Sequence, residues 1–257
     1  MQLTQAADAI FFCHGAPGSP RDAALLLPIT PHIKLIAADL FRAGSGTVLE
    51  NALQDFDEQT RIFENHKIHI TGFSIGAMMA IQIAAARPDR VGQLTLISPA
   101  APLGLGDFLP DMAGKPVFDL AQNALRLLQV LTKIQSLLAR YLPHVLINQL
   151  FKKSSPREQG LIADPKVQSI IAGGLQNSFQ THPKQYLATL QTYVSDWATD
   201  ISRVTCPVQV WHGDQDTWAP IAMSHALCAA FPQGAKLHVV KGGEHYSTLA
   251  VADLSDA

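Results

Sequence analysis

Ile70-Thr71-Gly72-Phe73-Ser74-Ile75-Gly76-Ala77-Met78 is the stretch that decides the reading of this chain. An apolar, β-prone run ends in Gly-x-Ser-x-Gly, and a good helix former follows at once. The pattern predicts a serine held on a tight strand-to-helix turn, its hydroxyl pushed out beyond the sheet. A side chain at Gly72 or Gly76 is expected to collide with the neighbouring strand or with the serine loop. The turn also places the amide of Ile75 at a helix N-terminus, where N–H groups lack partners and favour negative charge. One turn therefore supplies both a hydroxyl and an oxyanion donor.

A serine hydroxyl needs a base, and the base needs an orienting acid. Downstream, the apolar run Val208-Gln209-Val210-Trp211 leads into His212-Gly213-Asp214-Gln215-Asp216, a glycine turn with two aspartates. Further on, Leu237-His238-Val239-Val240 leads into Lys241-Gly242-Gly243-Glu244-His245-Tyr246, a loop presenting a histidine. Upstream, Ile10-Phe11-Phe12-Cys13 ends in His14-Gly15-Ala16-Pro17-Gly18-Ser19, a small-residue loop able to offer a second amide at Ala16.

These four stretches, in this order, resemble the α/β-hydrolase superfamily. His14-Gly15-Ala16-Pro17-Gly18 resembles its oxyanion loop and Gly72-Phe73-Ser74-Ile75-Gly76 its nucleophile elbow. Gly213-Asp214-Gln215-Asp216 resembles its acid turn, and Gly242-Gly243-Glu244-His245 its histidine loop. Asp39-Leu40, with Arg42 and Gly44, resembles the family's Asp-Leu-Arg-Gly stretch. The resemblance runs from Asp8 to the C-terminus. It implies Ser74 as nucleophile, His245 as base, Asp216 as acid, and the amides of Ile75 and Ala16 as the oxyanion hole. Asp216 is preferred because it follows Gly213 by three residues; Asp214 is expected to brace the turn. His14 and Tyr246 are candidate substrate contacts, although a buried, loop-bracing histidine is the simpler expectation for both His14 and His212. No cofactor and no metal is implied, since His66-x-x-His69 has no third ligand of suitable type nearby.

The family carries a β-hairpin before the strand that leads to His-Gly. Here about eight residues precede that strand, so either the sheet lacks its first two strands or the true start lies upstream of Met1. Alternating β-type runs and amphipathic stretches predict a mostly parallel α/β sheet covered by helices on both faces. Strands are expected at 9–14, 34–38, 67–73, 93–98, 207–212 and 236–241, and helices at 50–65, 75–86, 220–231 and after 246. Residues 1–100 and 201–257 would form the core, with 101–200 a helical lid inserted in it. Within the lid, a helix over 117–141 carries the stripe Leu120, Ala124, Leu127, Leu131, Ile134, Leu138 and Tyr141. A short helix is expected at 145–151 and another at 183–197. Helix-on-helix packing is the ordinary use of such a stripe, ahead of an acyl pocket. A membrane-surface role is disfavoured because Arg126, Lys133 and Arg140 are few for a basic face.

With 257 residues, 47% hydrophobic and 16% charged, the chain can bury one large core, and a net charge of −2 argues against a nucleic-acid partner. Cys13, Cys206 and Cys228 are odd in number and scattered, which points to a reducing, cytoplasmic setting rather than a disulfide framework. No leader and no run of membrane-spanning length is visible. The expected activity is hydrolysis of a small or medium carboxylic ester or thioester. Three alternatives stand beside it. A proline iminopeptidase would need lid carboxylates, for which Glu158 and Asp164 are candidates. A carbon–carbon bond hydrolase would need a lid arginine, for which Arg157 is a candidate. A noncatalytic small-ligand binder on the same fold is the alternative of another class.

Overall fold

The computed structural model describes residues 9–26 and 33–254. The flanking residues 1–8, read above as lacking a leader, lie outside the described residues, as do 27–32 and 255–257. The strands are β1 (Ala9–Cys13), β2 (Lys34–Ala38), β3 (Ile68–Phe73), β4 (Val91–Ile97), β5 (Val208–Gly213) and β6 (Lys236–Val240). They form one open parallel sheet in the order β2-β1-β3-β4-β5-β6. β1 and β3 are buried along their whole length, whereas β2 and β6, at the edges, are only partly covered. Strands covered on both faces read as continuous apolar runs, and this is why Ala9-Ile10-Phe11-Phe12-Cys13 shows no alternation.

The helices against the sheet are α1 (Val48–Gln59), α2 (Gly76–Ala86), α9 (Ile221–Ala230) and α10 (His245–Leu249). α1 starts with a capping box in which Thr47 and Glu50 satisfy each other's backbone amides. α2 is buried from Gly76 to Ala85, as its all-round apolar sequence requires.

Between β4 and β5 lie α3 (Lys115–Asn123), α4 (Leu125–Tyr141), α5 (Pro143–Leu150), α6 (Pro156–Ile162), α7 (Pro165–Gln176) and α8 (Pro183–Tyr193). Three expectations for this stretch change. The single helix over 117–141 breaks at Ala124, which leaves the helical region at φ −150°, ψ 57°; alanine, the best helix former, gave no warning. The helix expected at 183–197 ends at Tyr193, and α6 and α7 were not foreseen. Each has a Ser-Pro or Asp-Pro start, with Ser155 and Asp164 accepting from the amides of Glu158 and Lys166. N-cap followed by proline at N1 is the signal that could have found them.

Candidate active site

β3 ends at Phe73, and Ser74 takes a left-handed backbone, φ 56°. That conformation costs an L-residue roughly 1–2 kcal/mol, and tight neighbours hold it. Ser74 N–H donates to Ile97 O at 3.0 Å, and Ser74 O accepts from Ala77 N at 3.0 Å and Ala100 N at 3.1 Å. A Cβ on Gly76 would overlap the carbonyl oxygens of Cys13 and His14, and one on Gly72 would sit 2.7 Å from Ala77 Cα. No side chain caps α2, so the positive end of that helix opens beside Ser74.

The loop after β1 lies against the serine: a Cβ on Gly15 would stand 3.2 Å from Ser74 Cβ. His14 is fully buried. Its Nε2 accepts from Leu40 N at 3.1 Å, so the proton is on Nδ1, which donates to Gly15 O at 2.7 Å. Both ring nitrogens are thus engaged within the protein, and His14 braces the loop that carries Ala16 rather than offering a nitrogen to a ligand.

Asp216, buried in the turn after β5, organises the other side. Its Oδ1 accepts from Trp218 N at 2.8 Å and Ala219 N at 3.0 Å, while its Oδ2 faces His245 Nδ1 at 2.8 Å. Burial opposes the charged carboxylate, but His245 and the Ala219 amide outweigh it and hold the carboxyl below its ordinary value. An ionised carboxylate only accepts, so His245 carries its proton on Nδ1 and leaves Nε2 as the acceptor. Asp214 lies apart from this pair, with its Oδ1 accepting from Gly242 N at 2.7 Å. His212 supports Asp216 from below. Its Nε2 donates to Ala219 O at 2.7 Å and its Nδ1 accepts from Ser224 Oγ at 2.5 Å. Burial pushes its pKa down, in keeping with a neutral buttress.

The His245 ring packs 4.9 Å from Phe73, the residue before Ser74, and is stacked with Trp218 at 5.3 Å and 20°. Trp218 stacks in turn on Phe151, just past α5, and Tyr246 closes the cluster against Phe73, Phe151 and Trp218. Tyr246 is therefore part of an aromatic wall. Ser74, Ala16, Pro17 and Trp218 are half-buried.

Four supports of the histidine loop were not read from the sequence. Ser98, also left-handed at φ 44°, donates its hydroxyl to His245 O at 3.2 Å. Glu158, fully buried on α6, accepts from Tyr246 N and Ser247 N at 2.8 Å each. Burial pushes the Glu158 carboxyl up, against the pull of those amides. Glu244 accepts from the amide of Ser155, and Arg157 Nη1 donates to Lys241 O at 3.1 Å. In the loop after β1, Gly18 N donates to Ser178 Oγ at 3.0 Å, and Asn177 Nδ2 donates to Gly18 O at 3.2 Å. No motif marks such contacts, because they join residues some 90 to 160 positions apart.

The family model of the alpha/beta hydrolase fold matches residues 8–249. The chain belongs to the α/β-hydrolase fold family. Among curated proteins none matches in sequence. Its solved structural neighbours include hydrolases. Est816, described as an N-acyl homoserine lactone degrading enzyme, is 17% identical with TM-score 0.63, over 96% of this chain and 89% of that one. An α/β hydrolase enzyme from a Medee basin deep-sea metagenome library is 18% identical with TM-score 0.65, over 98% and 87%. A mutant of the meta-cleavage product hydrolase CumD is 17% identical with TM-score 0.65, over 95% and 86%. Such identities show a shared fold. The six-stranded order is this fold with β2 as an edge strand among the described residues.

Proposed function

We propose that this α/β hydrolase is a serine hydrolase that cleaves a small or medium carboxylic ester or thioester by acyl transfer through Ser74. The observation that carries this reading is the pairing of His245 Nδ1 with Asp216, fixed from behind by two amides, beside a serine on a left-handed elbow. His245 Nε2 takes the proton as Ser74 Oγ attacks the carbonyl, and Asp216 stabilises the imidazolium that forms. The amides of Ile75 and Ala16 receive the oxyanion, each by analogy contributing about 2.7–4 kcal/mol. His245 then protonates the leaving group, and water attacks the acyl-enzyme by the same route.

The acyl group would rest on Trp218, the half-buried member of an aromatic cluster that Phe73, Phe151 and Tyr246 back from inside. The candidate anchors of the alternatives have partners within the protein. Glu158 is buried on two backbone amides, and Asp164 gives one oxygen to the start of α7, which weighs against their holding a substrate amine. Arg157 is exposed and bonded to Lys241 O. The cysteines are free, which supports a cytoplasmic setting. Labelling with a fluorophosphonate, followed by mapping of the adduct, tests the chemistry. Modification of Ser74 is expected; a protein that stays unlabelled while hydrolysing p-nitrophenyl esters refutes the serine mechanism. A parallel screen of acyl esters, aminoacyl anilides and vinylogous 1,5-diketones tests the substrate class.

A further inference from the structure

α4 turns one face into the protein and another into solvent, and the outer face is apolar. Leu127, Val130, Ile134, Leu137 and Tyr141 are 51–67% exposed. Their spacing of three and four residues makes one continuous stripe. Leu142 and Val145 extend it across Pro143 onto α5. Seven of the nine exposed large hydrophobics among the described residues lie in this one patch. Single exposed leucines need no explanation, but a contiguous patch does. The inner face is already packed, with Leu128, Thr132 and Ala139 buried, so the stripe is additional to what the fold needs.

The charges around the stripe select what covers it. Arg126, Lys133 and Arg140 are exposed and follow one another at seven-residue intervals along one flank. Lys152, Lys153 and Arg157, also exposed, follow α5. Between positions 120 and 157 there is no aspartate or glutamate, although the chain as a whole has a net charge of −2. A second copy seated antiparallel on this face would set the cationic flank against itself. Seated parallel, it would set that flank against Leu131 and Leu138. In neither orientation does the face supply a carboxylate. An anionic bilayer supplies both an apolar layer for the stripe and negative headgroups for its border. The Arg140 guanidinium lies 5.3 Å over the Tyr141 ring, an arrangement that lets an apolar stem lie deep and a charged tip stay in water. No helix of the described residues is long and apolar enough to cross a membrane, so the face would lie in the plane of the surface.

We propose that the outer face of α4 and the start of α5 docks this protein on anionic membrane surfaces. Just beyond α5, Phe151 stacks on Trp218 at the site wall, so docking would bring the approach to Ser74 close to the lipid. The count of three cations that disfavoured a surface role in the sequence undervalues this face. Periodicity alone does not say that the stripe is in solvent.

The test is sedimentation of the full chain with vesicles of phosphatidylcholine alone or with part of it replaced by phosphatidylglycerol. Each flanking cation is expected to add roughly fivefold to partitioning, so anionic lipid should strengthen binding on the order of a hundredfold, and raised salt should remove that gain. The double variant Val130→Asp with Leu137→Asp should lose binding while keeping its melting temperature and its hydrolysis of a soluble ester. Reversing Arg126, Lys133 and Arg140 to glutamate should abolish the preference for anionic lipid. Wild-type protein that ignores anionic vesicles at low salt overturns the proposal, and so does binding unaffected by the double variant. A dimer in sedimentation velocity that the double variant dissolves would assign the face to a second copy instead. Vesicle binding does not depend on catalysis, so it can fail or succeed apart from the Ser74 chemistry.

Discussion

Replacing Asp216 by asparagine separates geometry from charge, because the structure dictates which way the new amide must face. Oδ1 accepts from the amides of Trp218 and Ala219 at 2.8 and 3.0 Å. The carbonyl oxygen of the introduced side chain is required there, which leaves its NH2 opposite His245 Nδ1. The reverse orientation would turn NH2 toward two backbone donors, and at roughly 1 kcal/mol or more for each lost bond it would hold less than about one molecule in thirty. Facing a donor, His245 must accept at Nδ1 and carry its proton on Nε2. It can then no longer take the proton of Ser74, and any imidazolium has lost its counter-charge. A fall in kcat of about 10^4 follows by analogy with the same change in a serine protease triad, with little change in melting temperature because both amide contacts persist. Asp214→Asn keeps a carbonyl oxygen for Gly242 N and should change kcat only a fewfold. Steady-state hydrolysis of p-nitrophenyl butyrate measures both. The assignment fails if Asp216→Asn costs less than about tenfold, a loss too small for a wrong tautomer, or if Asp214→Asn is the more damaging change.

Ser74→Ala should end turnover and fluorophosphonate labelling without unfolding the protein; more than a few per cent of residual ester hydrolysis contradicts its role. Glu158→Gln leaves one of the Tyr246 and Ser247 amides facing an NH2 group, at a cost of about 1–3 kcal/mol in stability, and should lower kcat more than it raises KM. Unchanged kinetics would mean that α6 does not position His245. Asp22 is buried beside Ser19, and burial, against His14 and the Ser19 amide, pushes its carboxyl up to about 7 from 3.8. The native state then holds this proton more tightly than the unfolded chain, so stability should fall as pH rises from about 4 to about 7, by at most about 4 kcal/mol. Asp22→Asn should flatten that part of the pH–stability curve, measured by denaturant unfolding; an unchanged slope refutes the shift. Acyl esters should be hydrolysed with rising kcat/KM from acetate to hexanoate, by at most about 0.8 kcal/mol per methylene. Phe151→Ala should shrink that rise, and a steady decline beyond acetate would mean that the wall is not an acyl site.

The sheet was legible because its strands are β-prone runs rich in apolar residues, most of them leading into a glycine-bearing loop, and local chemistry determines such loops. Ser74, Asp216 and His245 stood out for the same reason: each follows a strand at a fixed short distance. The cap was not legible to the same degree. Its stripe named Leu127, Leu131, Ile134, Leu138 and Tyr141 together, yet Leu131 and Leu138 are partly covered while the other three are exposed. A helical period marks an apolar face but not its partner, and α4 has apolar residues over more of its circumference than one neighbour covers. In the sequence Glu158 stands out only as a carboxylate able to meet an amine. Its actual partners are backbone amides, which every residue has and which no sequence pattern distinguishes.

The ties to the core from α6 and from the residues just past α7 have a consequence for how such enzymes diversify. Glu158 and the Ser155 amide hold the loop after β6, and Ser178 and Asn177 hold the loop after β1. The stretch between β4 and β5 is not detachable from the sheet, since part of what holds the loops after β1 and β6 is made from it. A chimera that exchanges the whole stretch for a relative's would remove those mounts and is expected to lose rate. Exchange limited to α3–α5 leaves the mounts in place, and that is the segment where laboratory or natural variation can act with the least loss.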